Sequence, residues 1–218
     1  MKKVAIIPIC FLLTLLAASC AAPPAASGSG ESGDTGIPSG IEVVRVATDM
    51  TVFDDLKEIE DYSTVIVEAV ARKNLGQEVT TSYDYGLKKY LTGAGFTKWE
   101  IEVTKVYKGD VKTGDMLPLL LQYYIWTTED GKKQLITGSY LKPAVKDKKY
   151  LVFLIYDDRN KGYWPVCDYE GMFAVPTDDM KAKAKAGTLS QSDFDVYDGE
   201  TLHYLIPIYR EVADKYFS

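Results

Sequence analysis

The sequence has few of the residues on which most catalytic and metal chemistry depends. Its 218 residues include one histidine, His203, and three cysteines, of which only Cys167 lies beyond residue 20. One thiol cannot form an internal disulfide, and a single histidine supplies neither a zinc cluster nor an obvious catalytic pair with Cys167. No phosphate-binding glycine loop, nucleophile elbow or HExxH motif is present. We therefore expect no catalytic residues, no metal site and no cofactor, and we expect Cys167 to be a small buried apolar residue.

Basic clusters are missing as well. No run of Lys and Arg is longer than a pair, and 31 acidic residues outnumber 25 basic ones. If Lys2 and Lys3 are removed with an export signal, 23 basic residues face the 31 acidic ones and the net charge is −8. Such an acidic chain argues against nucleic acid and against anionic lipid headgroups as partners.

The longest apolar run is too short to cross a bilayer. Residues 4–18 are mostly apolar and follow Lys2 and Lys3, whereas a spanning helix needs about 20 apolar residues. A positive start, a short apolar stretch and small residues at its end are typical of an export signal. We therefore assign residues 1–19 to a signal peptide.

The end of this signal carries a more specific pattern. The segment LAASC, residues 16–20, resembles the lipobox of bacterial lipoproteins, although Ala17 stands where that family prefers leucine. The resemblance implies that the Cys20 thiol receives a diacylglyceryl group, a palmitate-type anchor, and that cleavage occurs just before it. An ordinary secretory cleavage site with an incidental Cys20 is the alternative. The lipid would hold the protein on the outer face of the bacterial cell membrane, because two acyl chains give a stable anchor.

Residues 20–40 follow as a tether. They are almost entirely Ala, Pro, Gly, Ser and acidic residues, with Ile37 the one large apolar side chain. Such a segment buries too little apolar surface to become ordered, and twenty flexible residues reach roughly 25 Å. We expect one globular domain at 41–218, attached to the membrane as a monomer.

Within the domain, hydrophobic periodicity predicts mostly strands. Phe53, Leu56 and Ile59 are spaced as in a short helix, and residues 96–107 alternate apolar and polar side chains as in a strand with one buried face. Residues 72–95 have no clear period, which predicts a long loop or an irregular hairpin. The other predicted strands lie within residues 63–71, 116–126, 134–137, 149–156, 163–166 and 171–175.

Two further patterns complete the expected fold. The segment VYKGDVKTGD, residues 106–115, contains two Gly-Asp steps, which are typical of a turn rather than of a receptor-binding tripeptide. Residues 201–217 carry an apolar stripe at helical spacing with Pro207 inside it, which predicts an amphipathic C-terminal helix that is kinked or begins near Ile206. The predicted fold is mainly β with flanking helices: a small antiparallel OB-like barrel between a short N-terminal helix and this C-terminal helix.

Several segments resemble a broad group of uncharacterised bacterial surface lipoproteins. They are TVIVEAVA, WEIEVTKVYKGDVKTGDML and KPAVKDKKYLVFLIYDD, and the resemblance covers roughly residues 53–175. It implies an OB-fold-type barrel similar to netrin-like and metalloprotease-inhibitor modules, without the disulfides of those modules. It implies a fold and a location and carries no catalytic residues.

Aromatic side chains are the strongest binding signal. The sixteen tyrosines are roughly double ordinary usage, and rings with a polar rim are suited to stacking on sugars or gripping peptide side chains. The alternative is that these rings fill the core, which we expect for Trp99, Tyr107 and Phe153. The ligand-binding candidates are Tyr83, Tyr85, Tyr163, Trp164 and Tyr169.

Acidic side chains offer two competing interpretations. Glu100 and Glu102 share one face of a predicted strand, as Asp168 and Glu170 would, and a carboxylate pair in a cleft would suit a hydrolase. The segment DFDVYDGE, residues 193–200, has oxygen ligands for calcium but fails the EF-hand spacing. We expect both sets to be solvated surface.

These observations predict a non-enzymatic binding module for an envelope protein, a peptide or a polysaccharide. A carboxylate-dependent envelope hydrolase and a structural lipoprotein without a small ligand remain the alternatives.

Overall fold

The computed structural model of the protein describes residues 34–46, 51–86, 88–167, 171–197, 199 and 202–217. These residues contain nine strands and three α-helices. The strands are β1 (Glu42–Arg45), β2 (Val65–Asp84), β3 (Lys89–Lys108), β4 (Met116–Leu121), β5 (Tyr123–Thr127), β6 (Lys133–Thr137), β7 (Lys149–Asp157), β8 (Gly162–Pro165) and β9 (Met172–Ala174). The helices are α1 (Leu56–Tyr62), α2 (Asp178–Ala186) and α3 (Leu202–Tyr216).

Most strands belong to one six-stranded sheet with the order β2-β3-β4-β8-β7-β9. Strand β2 also pairs with β7, so the pairings run from β2 through β3, β4, β8 and β7 back to β2. The link between β4 and β8 is a single parallel residue pair, Leu119 with Tyr163. The prediction of a mainly β fold with flanking helices is confirmed, and the sheet is antiparallel except at this link.

A second sheet of three strands has the order β1-β6-β5, with β1 parallel to β6. The sequence did not predict β1, which has only four residues. The sheet docks through buried Tyr123, whose hydroxyl accepts a hydrogen bond from the Trp99 indole at 2.7 Å. The Thr97 hydroxyl donates to the Tyr123 carbonyl at 2.7 Å. Burial raises the pKa of Tyr123 to about 12.

Strands β2 and β3 form a hairpin of 20 residues on each side. The predicted loop at 72–95 was therefore wrong in part, because both strands continue through it and only its hairpin character is correct. We call residues 72–84 and 89–96 the distal arm and residues 65–71 and 97–108 the hairpin root. The register shifts at several points in the arm, including Gly76, which has a φ of +103°.

Strand β7 is the centre of the core. Its residues Tyr150 to Leu154 are all buried, since β2 and β9 flank it and both of its faces are covered. The uninterrupted apolar run at 149–156 predicted this arrangement. Phe153 packs edge-on against Tyr216 of α3, with ring centroids 5.8 Å apart.

The helices were predicted unevenly. Helix α1 is present as predicted, although it begins at Leu56 and Phe53 precedes it, and Asp55 caps it by accepting from the Glu58 amide at 2.9 Å. Helix α3 begins at Leu202 and contains Pro207. Helix α2 was missed, although Thr177 caps its start and Gly187 ends it in a left-handed conformation. No described helix has the length and apolar character needed to span a membrane.

The turn predicted at 106–115 is confirmed. Gly109 and Gly114 have φ values of +104° and +91°, which glycine adopts at little cost. The Asp115 carboxylate accepts from the Lys112 amide at 2.7 Å and closes the turn.

Candidate functional site

The five predicted ligand-binding residues do not form one site. Tyr163 and Trp164 are consecutive on β8, so their side chains lie on opposite faces of the strand. Tyr85, which is 85% exposed, lies at the tip of the β2–β3 hairpin. The side chain of Tyr83 and the whole of Tyr169 lie outside the described part of the chain.

Trp164 forms an aromatic pair with a residue that the sequence did not single out. Its ring lies edge-on to Phe96 of β3, with centroids 5.3 Å apart, and both residues are half-buried. Phe96 shares its side of the strand with Lys98 and Glu100, the polar set of the predicted alternation. Phe96 could have been identified from the sequence, because it is an aromatic residue on the otherwise polar face of the predicted strand.

Charged groups surround this aromatic pair. The Trp164 indole N–H donates to an Asp157 carboxylate oxygen at 2.9 Å, and the Asn160 side chain donates to the same carboxylate at 2.6 Å. These hydrogen bonds lower the pKa of Asp157 to about 2. The Lys98 ammonium lies 3.4 Å from the Asn160 carbonyl. We call Phe96, Lys98, Asp157, Asn160 and Trp164 the Trp164 surface.

Each member of the Trp164 surface is held in place by its own partner. Asp157 fixes the indole orientation, and its pKa keeps it ionised at neutral pH. Glu78 of β2 forms an ion pair with Lys98 at 3.2 Å. The surface therefore offers two apolar rings between a fixed anion and a fixed cation.

Tyr163 belongs to a separate pair. Its ring lies edge-on to Tyr156, with centroids 5.0 Å apart. Tyr156 is 45% exposed, while Tyr163 is half-buried and its pKa is raised by that burial. This pair lies on the opposite face of β7 and β8 from Trp164.

The distal arm has open edges. Strand β7 pairs with β2 only as far as Val70, and β4 pairs with β3 only from Thr97 to Glu102. Among the described residues, no third strand flanks the arm beyond these points. Its outward backbone groups therefore have no neighbouring strand to pair with, although the Gly93 and Ala94 carbonyls accept from the Tyr124 and Thr80 hydroxyls.

The small sheet supports the base of the arm. The Gln77 side chain accepts from the Ile125 amide at 2.8 Å and donates to the Ile125 carbonyl at 2.9 Å, as a neighbouring strand would. The Tyr124 hydroxyl donates to the Gly93 carbonyl at 3.1 Å. The Tyr124 ring lies so close to Gly95 that a Cβ there would be 2.5 Å from a ring carbon.

Most of the predicted carboxylate groups are in salt bridges or lie outside the described residues, and Glu100 is half-buried with no ion pair among the described residues. Glu102 pairs with Arg72 at 2.7 Å, and Asp168 and Glu170 are not described. In the calcium-like segment, Asp193 pairs with Lys183 at 2.7 Å and Asp195 pairs with Lys148 at 2.5 Å. Within the described ranges, no three His, Cys, Asp or Glu side chains are grouped so that they could hold a metal ion.

The two remaining reactive side chains lie apart from the Trp164 surface. Cys167 is buried, as predicted, and is not in a disulfide within the described residues. His203 is exposed at the start of α3 and its ring lies 3.8 Å from that of Tyr204, centroid to centroid. Neither side chain is a member of the aromatic pairs described above.

The Trp164 surface places two half-buried apolar rings beside hydrogen-bonding groups of both charge signs. No protein-family model, curated protein or solved structure matches this chain.

Proposed function

We propose that the protein is a lipid-anchored binding module of the bacterial envelope, and that the Trp164 surface binds an envelope polysaccharide. The location rests on the sequence: the apolar run at 4–18, the lipobox-like residues before Cys20 and the tether up to residue 40. In this proposal the diacylglyceryl group on Cys20 holds the domain at the outer face of the cell membrane.

The fold is consistent with an OB-like module. Five strands pair in a circuit from β2 back to β2, and helix α3 lies against this sheet through contacts such as Phe153 with Tyr216. We interpret this circuit as a small barrel of the kind that the lipoprotein resemblance implies. Modules of this type bind ligands on an outer face of the sheet, and Trp164 lies on such a face.

The observation that carries the proposed ligand is the Phe96–Trp164 pair between Lys98 and Asp157. A sugar ring has an apolar face that stacks on aromatic side chains and hydroxyl groups that both donate and accept. Asp157 supplies acceptors and Lys98 supplies a donor beside the rings. Because Asp157 holds the indole by a hydrogen bond, little side-chain freedom is lost on binding.

The test uses cosedimentation of the mature chain, with Cys20→Ser to remove the lipid, and purified envelope polysaccharide. We expect Trp164→Ala to weaken binding about tenfold or more, which corresponds to about 1.4 kcal/mol. Tyr62→Ala is the matched control, because Tyr62 of α1 is a 52% exposed aromatic residue away from this surface. Equal binding by wild type and Trp164→Ala, with both proteins folded by circular dichroism, would rule out the proposed site.

A second candidate function follows from the open edges of the distal arm. An extended peptide could add as a strand beside residues 72–84 or 89–96, where no described strand flanks the hairpin. In a pull-down from the native envelope with residues 41–218, capture of a protein by wild type and by Trp164→Ala alike would favour this candidate. Loss of capture in the Tyr163→Ala/Trp164→Ala variant would favour the aromatic surface.

The hydrolase alternative has less support from the described carboxyl groups. A general acid needs a raised pKa, yet each described carboxyl group whose pKa is shifted is shifted downward. Release of reducing ends from the polysaccharide during the binding assay would revive this alternative.

A further inference from the structure

Helices α2 and α3 enclose an open groove on the surface of the domain. Its volume is about 650 Å³, which is within the range of small-molecule sites. The lining residues are small, apolar or charged: Lys181, Ala184, Lys185, Ala186, Gly187, Arg210, Ala213, Asp214 and Phe217. We call this cleft the α2–α3 groove.

Two cations of the groove have no partner among the described residues. Lys183, on the same helix, pairs with Asp179 at 3.0 Å and with Asp193 at 2.7 Å. Lys185 and Arg210 are exposed, and neither has an ion pair or hydrogen bond from its side chain within the part of the chain that is described. Thus Lys183 is neutralised by two aspartates, while Lys185, which lines the groove, has no acidic partner among the described residues.

The end of α2 does not require these cations. Lysine and arginine are common near helix C-termini because they offset unpaired carbonyl groups. In α2, the Gly187 amide bonds the Ala184 carbonyl at 3.3 Å, and the Thr188 amide bonds the Lys183 carbonyl at 3.0 Å. These backbone bonds satisfy two of the last four carbonyl groups of the helix, and neither bond involves the Lys185 side chain.

The walls of the groove are fixed relative to each other. The Lys181 ammonium donates to the Phe217 carbonyl at 2.5 Å and joins α2 to the end of α3. Ala184 and Phe217 are buried, at 8% and 7% exposure. A Cβ at position 187 would lie 3.5 Å from the Arg210 guanidinium, so Gly187 keeps the space beside that group open.

We propose that the α2–α3 groove binds the phosphate group of an aliphatic phosphate ester. A guanidinium fork contacts two phosphate oxygens at once, and a lysine ammonium on the facing wall contacts a third. A phosphate has enough acceptor oxygens for both cations, whereas a carboxylate has only two. The alanine floor accommodates a short aliphatic body, and Asp214 is the one acidic group in the lining.

The proposed attraction of phosphate comes from individual side chains of the groove and not from the net charge of the protein. The acidic chain as a whole repels anions, and 31 acidic residues outnumber the basic ones. Binding must therefore come from Lys185 and Arg210 themselves and must depend on their positions. This inference is independent of the polysaccharide proposal, because the Trp164 surface shares no residue with the groove.

The test titrates butyl phosphate into the chain from residue 20 onward with Cys20→Ser, which contains every described residue, and follows amide chemical shifts by NMR. We expect shifts at 181–187 and 210–217, and at least a tenfold weaker affinity for the Lys185→Gln/Arg210→Gln variant. Lys112→Gln/Arg159→Gln is the control, because it removes the same charge from exposed residues elsewhere. Equal affinity of wild type and the groove variant would overturn the proposal, as would an equal loss in the control.

Two further experiments determine which kind of molecule carries the phosphate group. Butyrate should bind at least tenfold more weakly than butyl phosphate, and equal binding would overturn the choice of phosphate. Vesicles of phosphatidylglycerol and of phosphatidylcholine are then offered to the same variants. Retention on phosphatidylglycerol that depends on Lys185 and Arg210 supports a lipid headgroup as the ligand. Butyl phosphate binding without such retention supports a soluble ester.

Discussion

The two halves of the β2–β3 hairpin share the same backbone pairing but differ in how far their side chains are buried. In the root, β7 and β4 flank the hairpin and its inward side chains are buried, including Val67 at 0% and Trp99 at 1% exposure. In the distal arm, the outer edge of each strand has no described neighbouring strand, and exposed side chains include Leu75 at 45%. A ladder between two strands is thus common to both halves, while most of the burial lies in the root.

The difference indicates where stability and recognition are located. A two-stranded hairpin by itself is marginally stable in water, and packing of further elements provides most of the stability. The arm spans roughly 40 Å, from about 13 residues at 3.3 Å each, and it is supported near its base by Gln77 and Tyr124. The root therefore contributes most of the stability, and in the function proposed above the Trp164 surface contacts the partner.

The largest expected loss of stability comes from removing a buried side chain of the hairpin root. Trp99→Ala should lower the free energy of unfolding by about 3–5 kcal/mol, because it removes a fully buried ring and its hydrogen bond to Tyr123. Leu75→Ala in the arm should change it by less than about 0.5 kcal/mol. Urea denaturation of the two variants measures both. Similar losses in the two would contradict the comparison.

An intermediate effect is expected where the arm meets the small sheet. Gly95→Ala places a methyl group 2.5 Å from the Tyr124 ring, so the ring or the strand must shift, at a cost of about 1–3 kcal/mol. In a Tyr124→Ala background the same substitution should cost almost nothing. Thermal unfolding of the wild type, the two single variants and the double variant gives the coupling energy between the two positions. If the two losses of stability are additive, Tyr124 does not support the arm.

The smallest effect concerns a charged group in the root. Glu68 is 7% exposed, and it accepts a hydrogen bond from the Tyr107 hydroxyl at 2.6 Å and pairs with Lys149 at 2.5 Å. Burial by itself raises the pKa of Glu68, but the bonds from Lys149 and Tyr107 outweigh it and the net shift is downward. The ionised form therefore stabilises the fold above the unfolded pKa of about 4.3.

Glu68→Gln should accordingly cost about 1–2 kcal/mol near pH 7. The difference from wild type should shrink as the pH falls through the lowered pKa of Glu68, because the wild-type carboxylate is then protonated. Denaturant titrations at about pH 7, 5 and 3 measure this difference. A gap that stays constant over this range would mean that the charge of Glu68 does not stabilise the root.

Much of the root was predictable from sequence, while the arm was not. The apolar run at 149–156 predicted β7, and the alternation at 96–107 predicted the buried part of β3. Residues 72–95 gave no period, and most side chains of the stretch 73–80 are exposed whichever face they lie on, so burial does not select an alternation there. Helix α2 was missed because its lysines and alanines carry no apolar stripe, although Thr177 and Gly187 mark its ends.

The candidate sites show the same limit. Trp164 was identified from its aromatic neighbourhood, but its partner Phe96 lies about seventy residues earlier and is brought close by tertiary packing between the sheet strands. The α2–α3 groove joins residues of two helices that lie apart in the sequence. Local patterns predict single elements, and they do not determine which side chains of distant elements meet.

Hydrogen exchange with and without the envelope polysaccharide tests the division between root and recognition surface most directly. On the mature Cys20→Ser chain, we predict that the ligand slows exchange at 93–98 and 155–164. It should leave the amides at 65–71 and 99–108, the part of the root away from Lys98, unchanged. Trp164→Ala should abolish this protection. No protection at 93–98 and 155–164, or protection that persists in Trp164→Ala, would contradict the account.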